Sequence, residues 1–328
     1  MGWLTGWTYR KSITLSRASG AVTNYQMKLL VGESSGATGE NVDCGGLCLS
    51  TFNDLRFTKA DGITLLDYWI ESVTGTTPNQ LATIWIEFDS IGTGATTFYL
   101  YYGKADATAA SNGANTFIFF DHFDGDLSKW SGDTAYASIA SSILSMVGPS
   151  TPAVKSIKST TNAGKNTFAL RTYAKIKAQI NNYDLIEVCD ATRDHNAGLY
   201  NEAGTRKIVT KDGTTETSVD SNWTSDAYKI FDIMVVGGVN SCFFENGAEL
   251  TGSPKTTNPP NSTSMMACFF AYNSSAVVKS DWVLLRNYEA TEPAWGSWGG
   301  AEYHRYNYLH ARRDRMNMRP VSTQNQLE

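Results

Sequence analysis

The stretch 54-DLRFTKADGITLLDYWIES-72 decides the fold class. Two short runs of branched, aromatic and aliphatic residues flank a Lys-Ala-Asp-Gly turn, in which Gly62 tolerates positive φ. Strand alternation puts Leu55 and Phe57 on one face and Asp54, Arg56 and Thr58 on the other. Beyond the turn, Asp67, Trp69 and Glu71 alternate against Tyr68 and Ile70. The pattern predicts a strand pair in which Arg56 meets Asp67 or Glu71. Such a cross-strand ion pair contributes only about 0.2–1 kcal/mol, so these charges specify register rather than catalysis.

The same period extends outward. "WTYRKSITLS" (7–16), "NYQMKLLVG" (24–32), "ATIWIEFDSI" and "TTFYLYYGK" each read as a strand bounded by turn residues. This set closes near Gly103. The small polar run 104–116, "KADATAASNGANT", reads as a linker. A second set opens at "FIFFDHFDG" and runs through "TFALRTYAKIKAQI", "YDLIEVCD", "AGLYNEAG", "RKIVTKDG", "YKIFDIMVVGGVNSCFFENGAEL", "SMMACFFAYN" and "KSDWVLLRNY". Many short strands joined by turns such as "KDG" and "ENG" indicate a sandwich or jelly roll. The expected layout is all-β: an N-terminal β-sandwich domain over 3–103, a linker over 104–116, a jelly roll over 117–302, and an extended tail over 303–328.

Of 328 residues, 41% are hydrophobic, 12% aromatic and only 18% charged, which excludes a disordered chain. A net charge of −5 disfavours non-specific nucleic-acid binding. No run of about 18 apolar residues predicts membrane insertion. No basic segment followed by an apolar one opens the chain as a signal peptide would. Cys44 and Cys48 flank a Gly-Gly turn as a disulfide, a pair of free thiols, or half of a zinc site that lacks a second ligand pair; Cys189, Cys242 and Cys268 complete an odd set.

"GWTYRKSITL", "FNDLRFTKADGITLLDYWIES", "ATIWIEF" and "TTFYLYYGKADATAASNGANTFIFFDHFDG" together resemble a family catalogued as a domain of unknown function, number 2341, over roughly residues 3–125. The remainder of the chain resembles a laminin-G/concanavalin-A-like β-sandwich, with "FFDHFDGDLSKW" as its opening, "CFFENGAEL" as a late hairpin and "SDWVLLRNYEATEPAWGSWG" as its closing strand. The resemblance implies surface-exposed, adhesive, envelope-associated or viral proteins and no established catalytic activity.

Candidate sites are sparse. Enzymes on this sandwich set two or three carboxylates on alternate positions of one strand. "IEVCDATRD" instead puts Glu187 and Asp190 three apart, on opposite faces, while Glu87 and Asp89 share a face with Trp85 in the first domain, where solvation explains them. His195 reads as a turn residue. Asp121, Asp124 and Asp281 are candidate ligands for a structural Ca²⁺, which takes six to eight oxygens, if the first and last strands of the sandwich lie side by side. Trp130, Trp223, Tyr200 and Tyr272 lie in or near turn-like segments and are candidates for stacking on glycans. Trp7, Trp69, Trp85 and Trp282 read as packed. Arg312, Arg313 and Arg315 mark the tail as an arm that docks on a neighbouring subunit.

The expectation is a non-catalytic structural or adhesive surface protein, a virion or appendage component with glycan contacts. Its expected partners are copies of itself or other subunits of a particle, and its expected location is a virion or other extracellular assembly. The alternatives are a secreted cell-surface adhesin and a glycoside hydrolase of concanavalin-like fold.

Overall fold

The computed structural model describes residues 2–18, 20–34, 39–177, 184–202, 204–273 and 277–304. It is nearly all β, as the period-two pattern predicts. Two compact units are present. The first combines the chain up to Asn112 with the residues from Pro293 onward, and the second is Gly113–Glu292. Among the described residues, no helix is long and apolar enough to cross a membrane.

The first unit is a sandwich of two sheets around one core. One sheet runs in the order Ala294–Trp298, Tyr9–Ser16, Thr96–Tyr102, Arg56–Thr58, Leu65–Leu66, with Glu302–Tyr303 also pairing Tyr9–Ser16. The other runs Val42–Asp43, Val22–Gly32, Leu81–Ile91, Tyr68–Thr74. Leu15, Leu55 and Leu100 of the first sheet's segments share a cluster with Tyr25, Leu29, Ile84 and Phe88 of the second. Their alternation with polar neighbours is what buries one face of each sheet.

Three expectations are corrected here. The strand pair anticipated between residues 54 and 72 is broken at Asp67: Leu65–Leu66 pairs with Arg56–Thr58, and Tyr68–Thr74 crosses to the other sheet to pair with Leu81–Ile91. Arg56 therefore meets neither Asp67 nor Glu71. Its guanidinium donates to the carbonyls of Asn53 (2.9 Å), Leu55 (2.6 Å) and Thr108 (2.7 Å). Asp54, Arg56 and Thr58 are buried. Asp54 accepts from the backbone N–H groups of Leu49 (3.0 Å) and Gly103 (2.6 Å) and so ties two loops to the sandwich. Burial pushes its carboxyl above the usual range despite those bonds. Lastly, Ala294–Trp298 does not close the second sandwich. It pairs with Tyr9–Ser16 in the first unit, so the boundary expected at 302 falls at 292.

The segment read as a linker is anchored within the first unit. Asn112 N donates to Tyr68 O (2.8 Å), and Ile70 N donates to Ser111 Oγ (2.9 Å). Cys44 and Cys48 are both free thiols.

The second unit is a larger sandwich. A seven-stranded antiparallel sheet runs Trp130–Gly132, Lys155–Ser159, Met266–Ala271, Asp184–Cys189, His195–Glu202, Thr205–Asp212, Thr215–Asp220. The facing sheet has eight strands, with Phe119–Asp121 lying beside Val277–Asn287 as expected of the first and last strands. Ile186, Val188, Ala197, Leu199, Ile208, Ala267 and Phe269 turn one face of the seven-stranded sheet into the core. By alternation, Glu187, Cys189, Gly198, Tyr200, Val209, Cys268 and Phe270 stand on its outer face.

Candidate functional site

That outer face carries a pocket of about 300 Å³ lined by Val154, Arg193, Tyr200, Val209, Glu216, Phe270 and Tyr272. The volume is at the small end of ligand sites, about 300–1,000 Å³. Two of the four aromatic residues singled out from the sequence, Tyr200 and Tyr272, reach it, and both are half-buried. The other two do not. Trp130 is 4% exposed and packs against Phe119, Phe123 and Phe269, with its indole N–H on Asp121 Oδ2 at 2.7 Å. Trp223 is fully buried, and its N–H reaches Lys207 O at 3.1 Å. An indole that finds an internal acceptor has no reason to stay in water, so both are core residues rather than sugar-stacking ones. Trp69, Trp85 and Trp282 are buried as expected.

Arg193 is the residue that sequence reasoning missed. It sits at φ 60° in the loop between Asp184–Cys189 and His195–Glu202. Its Nε and Nη2 donate to the two oxygens of Glu187 at 2.8 and 2.9 Å, and its plane lies over the Phe270 ring at 5.1 Å. Glu187 is fully buried, and its charge holds the guanidinium pKa above the ordinary value against the opposing effect of burial. A Cβ at Gly198 would come within 2.7 Å of the Glu187 Cβ, so the glycine makes room for the pair. The only sequence signal was Glu187 standing alone on the polar side of an apolar strand.

The loop that presents Arg193 is held by Asp190 and His195. Asp190 accepts from the N–H of Asp194 (3.0 Å) and of His195 (3.4 Å), and its other oxygen meets His195 Nδ1 at 2.7 Å. His195 Nε2 lies 3.1 Å from Asp212, so this residue opens a strand between two carboxylates rather than occupying a turn. Burial pushes the Asp190 carboxyl up, but the His195 side-chain and backbone bonds outweigh it, and the net shift is downward. A depressed carboxyl stabilises the fold above its unfolded pKa, and that stability is lost as pH falls through the folded value. Asp190→Asn is therefore expected to cost about 1–3 kcal/mol near neutral pH and to flatten the acid limb of a urea-midpoint against pH profile. An unchanged acid limb would contradict the role.

The remaining sequence candidates separate. Asp121 is buried; its Oδ1 accepts from Phe123 N (3.2 Å) and Lys129 Nζ (3.3 Å). Asp124 meets His122 at 3.2 Å, and Asp281 sits at a bulge opposite Tyr173 and Ala174. Asp121, Asp124 and Asp281 are not gathered into a ligand cluster among the described residues; the group whose ligand atoms converge there is Glu187, Cys189 and Cys268. Glu87 is half-buried rather than solvated, and burial together with Asp67 and Asp89 pushes its carboxyl up. Arg312, Arg313 and Arg315 lie outside the described residues.

The second unit is a two-sheet antiparallel β-sandwich with a ligand-sized pocket on the outer face of one sheet. Residues 51–133 of the chain match the family described as a domain of unknown function, DUF2341. No curated protein matches the chain. Similar solved structures include one reported with endo-acting O-glycanases that initiate mucin breakdown, from the human gut microbiota, at 10% identity, TM-score 0.43, covering 53% of this chain and 100% of that one. A prokaryotic β-1,3-1,4-glucanase (lichenase) from a mouse hindgut metagenome is 10% identical, TM-score 0.42, covering 52% and 99%. The β-glucanase of Bacillus licheniformis is 10% identical, TM-score 0.42, covering 52% and 98%. The expectation of a non-catalytic virion component or adhesin is corrected to this extent: these three similar structures are of glycan-acting enzymes. Likeness at this level speaks to fold alone, and the functional case rests on the pocket.

Proposed function

We propose that this chain acts on glycans, as a glycoside hydrolase, with the sugar held in the pocket around Tyr200. One observation carries the reading: Tyr200, Phe270 and Tyr272 line a single cavity together with Arg193 and Glu216. A sugar ring offers apolar C–H faces and a rim of hydroxyls. Aromatic rings cover the first, and charged groups form strong hydrogen bonds with the second.

Glycoside hydrolysis needs two carboxyl groups, about 5–5.5 Å apart for retention or about 6.5–9.5 Å for inversion. Glu216 lines the pocket, and Glu187 lies beneath Arg193 on the same sheet face. Both Glu187 oxygens accept from the guanidinium, which leaves Glu216 as the carboxyl that lines the cavity itself. Their strands are three steps apart in the sheet, about 14 Å between backbones.

The test is reducing-sugar release and equilibrium binding on a β-1,3-1,4-glucan and on mucin O-glycans. Tyr200→Ala is expected to weaken binding about tenfold, near 1.4 kcal/mol. Glu216→Gln is expected to abolish release and to leave binding within a few-fold. Binding without release would remove hydrolysis and keep the site; binding that ignores Tyr200→Ala, or no binding at all, would overturn the proposal.

A further inference from the structure

Beneath the pocket, the same sheet face carries two thiols that the glycan reading does not use. Cys189 and Cys268 are free and fully buried. One ligand atom from each of Cys189, Cys268 and Glu187 lies within 4.8 Å of the other two. In register, Cys268 stands opposite Glu187, and Cys189 stands opposite Met266. The thiols are therefore diagonal neighbours, with Cα atoms about 7–8 Å apart, whereas a disulfide takes Cα atoms about 4.4–6.8 Å apart. The sulfurs approach one another while the backbones resist a direct S–S bond. An atom placed between them relieves that conflict. Tetrahedral Zn²⁺ binds thiolate at ~2.3 Å and carboxylate oxygen at ~2.0–2.2 Å, which sets two sulfurs ~3.8 Å apart.

We propose that Cys189, Cys268 and Glu187 form a binding site for a thiophilic divalent cation of the Zn²⁺ type. The charge balance supports it. Before loading, the charges of Arg193 and Glu187 cancel. Loading adds two positive charges and releases two thiol protons to solvent, so the buried site stays neutral and Arg193 keeps its place. A carboxylate has about four lone-pair positions, so Glu187 serves the guanidinium and the metal together. Asn196 stands opposite Cys189 in the next strand, and its buried Oδ1 has no partner among the described residues. It places an unsatisfied oxygen on the strand next to Cys189 for the remaining position. The inference shares Glu187 with the glycan reading, but its readouts involve no sugar, so the two fail separately.

The experiment titrates Cd²⁺, a spectroscopic stand-in for Zn²⁺, into the full chain carrying Cys44→Ser and Cys48→Ser, which removes the other thiol pair. The thiolate-to-cadmium charge-transfer band is expected to saturate at one ion per chain. It should vanish when Cys189→Ser and Cys268→Ser are added. Proton release into weakly buffered solution, measured without further substitution, should be two per ion, and Glu187→Gln should weaken Zn²⁺ binding at least about tenfold. If the Cys44→Ser, Cys48→Ser chain shows no saturable band, or releases no protons on loading, the site is overturned even if the four-substitution variant does not fold.

Discussion

Glu187→Ala is expected to lower the stability of the second unit by about 3 kcal/mol and to abolish glycan affinity in the same variant. The carboxylate is fully buried and takes both bonds of Arg193, whose side chain is 26% exposed. Removing one partner of a buried pair costs about 3–5 kcal/mol, because the other charge is left uncompensated; the partial exposure of Arg193 puts this case at the lower end. The guanidinium would then swing toward water, and the polar wall of the pocket would go with it. Glu187→Gln keeps one acceptor and is expected to cost about half as much. Urea denaturation followed by far-UV circular dichroism measures both. A loss below about 1 kcal/mol for the alanine variant would show that the pair contributes no more than an exposed one.

Trp223→Ala is expected to cost about 3–5 kcal/mol, the range for emptying a buried aromatic site, with no selective effect on sugar binding in the molecules that remain folded. Trp223 is the largest fully buried side chain among the described residues. It enters the core from the segment between Thr215–Asp220 and Lys229–Val236. Its indole N–H occupies Lys207 O, and Arg206 Nη1 returns a bond to Trp223 O at 2.8 Å. Trp223→Phe refills most of the hole and loses the indole hydrogen bond to Lys207 O, at about 0.5–1.5 kcal/mol. A thermal or urea midpoint that barely moves in the alanine variant, together with lost glycan affinity, would restore the reading of Trp223 as a surface contact.

The fold class was legible because strand alternation is local. Leu29 and Val31, Ile84 and Ile86, and Phe168 and Leu170 all declare an inward face without knowledge of a partner. Partners are not local. Nothing between Asp54 and Ser72 says that the chain changes sheet at Asp67, and nothing in "PAWGSW" says that it pairs some 280 residues upstream with Tyr9–Ser16. The reading of aromatic residues near turns as glycan contacts placed Tyr200 and Tyr272 among the candidates, and both line the pocket, half-buried. It failed for Trp130 and Trp223, because Asp121 and the Lys207 carbonyl supply internal acceptors that no sequence pattern shows. The pocket was hardest to read, since Val154, Arg193, Tyr200, Val209, Glu216, Phe270 and Tyr272 come from separate segments and converge only through strand order. Arg193 in "TRDHNAG" looks like an ordinary loop cation until Glu187 is seen beneath it.

The measurement that bears most directly on the glycan site is amide hydrogen exchange of the full chain with and without a saturating oligosaccharide. Protection is expected to concentrate in Asp190–Tyr200, Lys207–Glu216 and Cys268–Tyr272, with the segments around Trp130 and Trp223 and the whole first unit unchanged. Protection centred on the first unit, or on the facing eight-stranded sheet, would contradict a sugar site on this face.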